Sequence, residues 1–179
     1  MPTDTYLAHL RQGVSLLMAR REAEAIDVLR SAVEAEPNHA EAWYDLGLAL
    51  DRLGRDEEAA AAYTTAVACD SADPIAWNNL AAVLLRLGRD AEAYDASRRA
   101  VALNPHDGHA RCNLGTALAR LGHPEQALAA YERVTAESPY LHLAWSQRID
   151  LLRALGRDEE AGRVEREWAA LSGRVANSQ

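Results

Sequence analysis

A period of 34 residues constrains this chain more than any other feature. The segment Ala40-Glu41-Ala42-Trp43-Tyr44-Asp45-Leu46-Gly47 returns in altered form at Pro74-Ile75-Ala76-Trp77-Asn78-Asn79-Leu80-Ala81. It returns again at Gly108-His109-Ala110-Arg111-Cys112-Asn113-Leu114-Gly115, with no gap. Extension in both directions gives five repeats, residues 6–39, 40–73, 74–107, 108–141 and 142–175. They form a single array over 1–179 with a short tail at 176–179. A repeat of this length is one supersecondary unit that cannot bury its apolar face alone, so neighbours must stack to make a continuous core.

Each repeat reads as two helices. In the second, Trp43, Leu46, Leu50 and Leu53 recur at three- and four-residue steps, the mark of an amphipathic helix. Gly54 is placed to end it. Asp56 is expected to cap the second helix, with Glu57 and Glu58 in its first turn where the helix dipole favours them. The same punctuation returns at Gly88 and Asp90 and at Gly156 and Asp158, and as Gly122-His123-Pro124 in the fourth repeat. Ala8, Ala42, Ala76, Ala110 and Ala144 share position 3; Ala25, Ala59, Ala93, Ala127 and Ala161 share position 20. A site that is Ala five times in one chain leaves no room for a larger side chain between helices. Composition agrees: Ala occurs 37 times, β-branched residues are scarce and Phe is absent. That mixture favours helix and excludes a β-sandwich or barrel.

The combination of Trp at position 4, Leu at 7, Gly or Ala at 8, Ala at 20, Tyr at 24, Ala at 27 and Pro at 32 resembles the tetratricopeptide repeat. Repeat two carries Trp43, Leu46, Gly47, Ala59, Tyr63 and Ala66; repeat three carries Trp77, Leu80, Ala81, Ala93, Ala100 and Pro105. The match covers about 170 of the 179 residues. It implies an all-α fold, a right-handed α-α superhelix (solenoid) of five tandem helix-turn-helix repeats. Departures gather at the ends: His9 and Gln12 in repeat one, Arg148, Ile149, Glu165 and Trp168 in repeat five. The last helix has a narrow apolar stripe and can close the array, with Ser172-Gly173 as its stop.

The resemblance also implies a concave groove lined by first helices, with positions 2, 5, 6, 9, 12 and 13 facing it. The candidate peptide-binding residues are therefore Tyr44, Asp45, Leu48, Arg52, Asn78, Asn79, Leu85, Arg86, Cys112, Asn113 and Arg120. Asn79 and Asn113, with Gln147 one repeat further, form an amide ladder. An amide both gives and takes a hydrogen bond, which suits an extended backbone. Arg52, Arg86 and Arg120 form a guanidinium ladder that could clamp carboxylates in a chain of net charge −8. The chaperone-tail clamp of some such proteins uses Lys. Here all 19 basic residues are Arg and Asp45 stands at position 6 of repeat two, so that mode is not supported.

A stripe of Leu7, Leu10, Val14, Leu17 and Met18 on the first helix offers a possible interface, with self-association into a scaffold as the second reading. His106, His109 and Cys112 are spaced to approach one ion, but a fourth ligand is lacking and no metal or cofactor is expected. No phosphate-binding, metalloprotease or nucleophile-elbow motif is present, so an enzyme is not expected. Net negative charge argues against nucleic acid and anionic membrane surfaces. Two cysteines without a framework, a start lacking a secretory signal and no long apolar run point to a cytoplasmic setting. The expected protein is a monomer or weak homo-oligomer that binds a protein or peptide, as an adaptor or co-chaperone does.

Overall fold

A computed structural model describes residues 3–176. Among them are ten helices and no strand: α1 Asp4–Met18, α2 Glu22–Ala35, α3 Ala40–Arg52, α4 Asp56–Cys69, α5 Pro74–Arg86, α6 Asp90–Leu103, α7 Gly108–Arg120, α8 Pro124–Glu137, α9 His142–Ala154 and α10 Asp158–Ala176. Odd helices open the five repeats and even helices close them. The chain divides into two compact units, Met1–Arg89 and Asp90–Gln179. The first holds α1–α5 and the second α6–α10.

Every first helix ends in the same way. The residue at position 15 takes the left-handed conformation: Gly54, Gly88, Gly122 and Gly156 at φ 70–82°, but Arg20 at φ 58° in repeat one. The next amide then reaches back five residues, as in Arg55 N–H to Leu50 O and Arg157 N–H to Leu152 O, 3.0 and 2.9 Å. This is a Schellman closure, and Gly adopts it without steric cost whereas Arg20 does not.

The starts of the second helices differ from expectation. Asp56 is the first helical residue, and Arg55 occupies the cap position with no side-chain bond to the backbone. Arg55 instead forks onto Glu58, Nε to Oε1 and Nη2 to Oε2 both at 2.7 Å. Arg21 with Glu24 and Arg157 with Glu160 repeat the arrangement. Only a planar guanidinium makes two parallel bonds to one carboxylate, so this site calls for Arg rather than Lys.

Burial explains the small positions. Ala42, Ala76, Ala110 and Ala144 are buried, and so are all five alanines at position 20. Ala8 is the exception and is exposed. At position 8, a Cβ on Gly47 would lie 2.8 Å from the Tyr63 ring, and one on Gly115 would lie 2.6 Å from the Tyr131 ring. The glycine is the counterpart of the large ring at position 24. In repeat three, position 8 is Ala81 and position 24 is Ser97, and each is buried.

Position 4 carries a hydrogen-bond donor in every repeat after the first. The indole N–H of Trp43, Trp77 and Trp145 reaches the carbonyl of Pro37, Ser71 and Pro139 at 2.8–3.0 Å. Arg111 replaces Trp in repeat four and donates to the corresponding carbonyl of Pro105, while its other arm meets Glu137 at 2.9 Å. Arg111 is only 4% exposed, so this departure keeps the bond that the position exists to make.

Two expectations for the ends are corrected. The α1 stripe is not a free face: Leu10 and Leu17 turn into the core with Tyr6 and Gly13. Leu7 and Val14 are half-buried, and only Met18 of the five is exposed. Position 8 fixes this orientation, because Gly13 must face Leu29. Ser172-Gly173 does not stop the last helix, since α10 continues to Ala176. Of the expected tail, 177–179 lie outside the described residues. No described helix is long and apolar enough to cross a membrane.

Candidate functional site

The first-helix faces carry most of the expected groove residues, and each unit presents its own set. In the first unit, Tyr44, Asp45, Leu48, Asn78 and Asn79 are half-buried on α3 and α5. In the second, Asn113, Thr116 and Gln147 are half-buried on α7 and α9. Leu85 and Cys112 leave the surface altogether, at 7% and 0% exposure. Cys112 packs with Leu118, Ala127, Tyr131, Val134 and Ala144. Its thiol is pushed up to about 12 by burial and, secondarily, by Asp107. It is therefore neither a groove contact nor a reactive thiolate. His109 is exposed while Cys112 is buried, so the two do not face a common ion. Among the described residues no cluster of three His, Cys, Asp or Glu could hold a metal.

The amides are braced within the repeat stack. Asn79 Nδ2 donates to Tyr44 Oη at 3.3 Å, and Gln147 Nε2 donates to Thr116 Oγ1 at 2.9 Å. Each amide thus ties position 6 of one repeat to a hydroxyl of the repeat before it. Thr116 Oγ1 lies 3.1 Å from Tyr131 Oη, which continues the chain to the ring beneath Gly115. The Asn79 amide also acts by hydrogen bonding on Tyr63, so it is held against two tyrosines. A half-buried amide fixed in this way is preorganised to meet a peptide backbone.

The arginine ladder serves the chain itself. Arg86 forks onto Asp56 and also meets Asp51. Arg120 meets Asp90 at 3.3 Å. Arg52 donates to the Leu17 carbonyl at 3.1 Å and lies 3.8 Å from Glu22. Each of the three arginines thus joins position 13 of its repeat to the acid at position 17 of the one before, 30 residues upstream. Arg86 holds the Asp56 carboxyl below the usual carboxylate range, by hydrogen bonding first and charge second. The expected clamp for an acidic ligand is therefore an internal staple between repeats. The sequence carried the signal: position 17 is acidic wherever position 13 of the next repeat is Arg. Between repeats four and five both are lost together, as Pro124 and Ala154.

Sequence reasoning missed an acidic concavity. Ala40, Glu41, Tyr44, Ala66, Asp70, Asp73 and Ala76 line a cavity of about 180 Å³ in the first unit. Asp70 accepts from Ala72 N–H and Asp73 from Ile75 N–H, so turn and cap geometry fix both carboxylates. Asp45, one turn beyond Glu41 on α3, is half-buried. Its carboxyl is pushed up to about 6, by burial first and by Glu41 second.

This is the architecture of a helical-repeat protein. A tetratricopeptide-repeat model matches residues 10–74 and 112–175, and a second of the same description matches 73–136. The chain belongs to the tetratricopeptide repeat family. No curated protein matches it. Among solved structures it is similar to MamA 41-end from Desulfovibrio magneticus RS-1, with 20% identity, TM-score 0.90 and coverage of 97% of this chain and 98% of that one. It is also similar to YrrB, described as a TPR protein with an unusual peptide-binding site, with 23% identity, TM-score 0.78 and coverage of 87% and 80%. A third is PilF of Pseudomonas aeruginosa, with 24% identity, TM-score 0.75 and coverage of 93% and 76%. At these identities the likeness establishes the fold. Tetratricopeptide repeats commonly mediate protein–protein interaction.

Proposed function

We propose that the chain is an interaction module, an adaptor that holds an extended peptide or partner segment against its first-helix faces. The observation that carries the reading is the braced, half-buried amide of Asn79, held by Tyr44 on the first-helix face. A peptide bound there gains hydrogen bonds without first ordering the side chain that makes them. Tyr44 and Leu48 add apolar contact. The peptide-binding site in the description of YrrB supports the same use of the fold. A binding module rather than an enzyme fits these open, shallow faces. The unpaired, exposed Cys69 fits a reducing, cytoplasmic setting. The self-associating scaffold finds no support in the α1 stripe, because its two central leucines are core residues.

The test is a selection from a displayed random dodecapeptide library, followed by calorimetry of the enriched peptides. Asn79→Ala with Asn113→Ala is expected to weaken them about tenfold, on the order of 1.4 kcal/mol. The thermal midpoint of the variant should allow full folding at the assay temperature. Unchanged affinity would remove the amide assignment.

A further inference from the structure

The charges of the first unit are not evenly matched. Its position-13 arginines, Arg52 and Arg86, are committed to Glu22, Asp51, Asp56 and the Leu17 carbonyl. Glu41, Asp45, Asp70 and Asp73 form no ion pair with any described residue. Three of these four line the cavity with Tyr44, and Asp45 acts electrostatically on the same ring as Asp73 does. A buried hydroxyl on α1 senses two of the same carboxylates. Tyr6 is 1% exposed, its hydroxyl has no hydrogen-bond partner, and Glu41 and Asp45 are the charges it feels most. The site is thus rich in acceptors and walled on one side by an aromatic ring, and its carboxylates form no direct ion pair with a described residue.

We propose that the first-helix face of the N-terminal unit takes a basic partner segment, seating a lysine or arginine side chain against Tyr44 among Glu41, Asp45, Asp70 and Asp73. The proposal rests on the interaction-module reading and names the chemistry of its partner. An ammonium or guanidinium carries only donors, which complements a lining of carboxylates. The ring face of Tyr44 attracts a cation in addition. A half-buried carboxylate such as Asp45 gains most from a cation, because it has lost water and received nothing in return. Net charge of −8 adds long-range steering toward such a partner.

The probes are three ten-residue synthetic peptides of alternating Lys-Ser, Glu-Ser and Gln-Ser, titrated by calorimetry at low and high salt. The Lys-Ser peptide is expected to bind, to weaken as salt rises, and to bind far more tightly than the Glu-Ser peptide. The variant Glu41→Gln/Asp70→Asn/Asp73→Asn should bind it at least tenfold more weakly. Its amide oxygens can still accept the turn and cap bonds, so the fold is kept. The control Glu34→Gln/Glu57→Gln/Glu159→Gln has the same net charge and should bind like the parent. Equal loss in both variants, tighter Glu-Ser binding, or no Lys-Ser binding overturns the proposal. If Gln-Ser binds instead and needs Asn79 and Asn113, the basic partner is wrong while the interaction-module reading stands.

Discussion

Gly115→Ala is expected to destabilise the folded chain by about 1–3 kcal/mol, the range for one methyl too many in a packed core. The added carbon would sit 2.6 Å from Cε1 and 2.9 Å from Cζ of Tyr131. That ring cannot simply move aside. It is 3% exposed, and its hydroxyl is fixed at 3.1 Å from Thr116, which Gln147 holds in turn. Tyr131→Ala alone should cost about 3–5 kcal/mol, as other buried aromatics do. In that background the added methyl meets empty space. Gly115→Ala should then turn stabilising by about 0.5–1 kcal/mol, the ordinary helix preference for Ala over Gly. Denaturant unfolding of the four proteins closes the double-mutant cycle. A coupling near zero would show that the glycine is not there to admit the ring.

The second large effect has the opposite sign. Asp45→Asn is expected to stabilise the chain at neutral pH. The folded-state carboxyl is pushed up to about 6 from 3.8. A raised carboxyl means that folding penalises the charged form. The penalty is fully present above pH 6, shrinks as pH falls through that value, and is gone below the unfolded value. A two-unit shift corresponds to at most about 3 kcal/mol at pH 7.5, falling to about 1 kcal/mol at pH 4.5. Asparagine has the same shape and no charge, so it should recover that amount. Denaturation midpoints of parent and variant at the two pH values check it. A gain of equal size at both would exclude desolvation of the carboxylate as the cause.

Much of the fold was legible because the period aligns equivalent side chains. The alanines at positions 3 and 20 and the left-handed glycine at position 15 need only that alignment. Ala8 escaped the rule because burial at position 3 comes from the preceding repeat, and the described residues provide none before α1. The Trp position was recognised as a pattern, yet its purpose appeared only in the bonds to Pro37, Ser71 and Pro139. Arg111 then ceases to be an anomaly, since it supplies an N–H to the same carbonyl.

The site was less legible. Arg86 was read against its own ladder at steps of 34, whereas its partner Asp56 lies 30 residues upstream on a second helix. Cys112 shares a position with Tyr44 and Asn78, but a small apolar thiol is readily buried where a larger polar group is not. The acidic cavity combines α3, α4 and α5 with Asp70 and Asp73 of the turn before α5. A search confined to first-helix positions could not assemble it.

The central claim is that the first-helix faces, and those of α3 and α5 above all, receive the partner. Amide chemical-shift mapping during titration with the Lys-Ser peptide tests this most directly. The expected result is a set of perturbations confined to Glu41, Tyr44, Asp45, Asp73, Asn78, Asn79 and their neighbours. Perturbations centred on the outer faces of α2 and α4, with α3 and α5 unchanged, would contradict it.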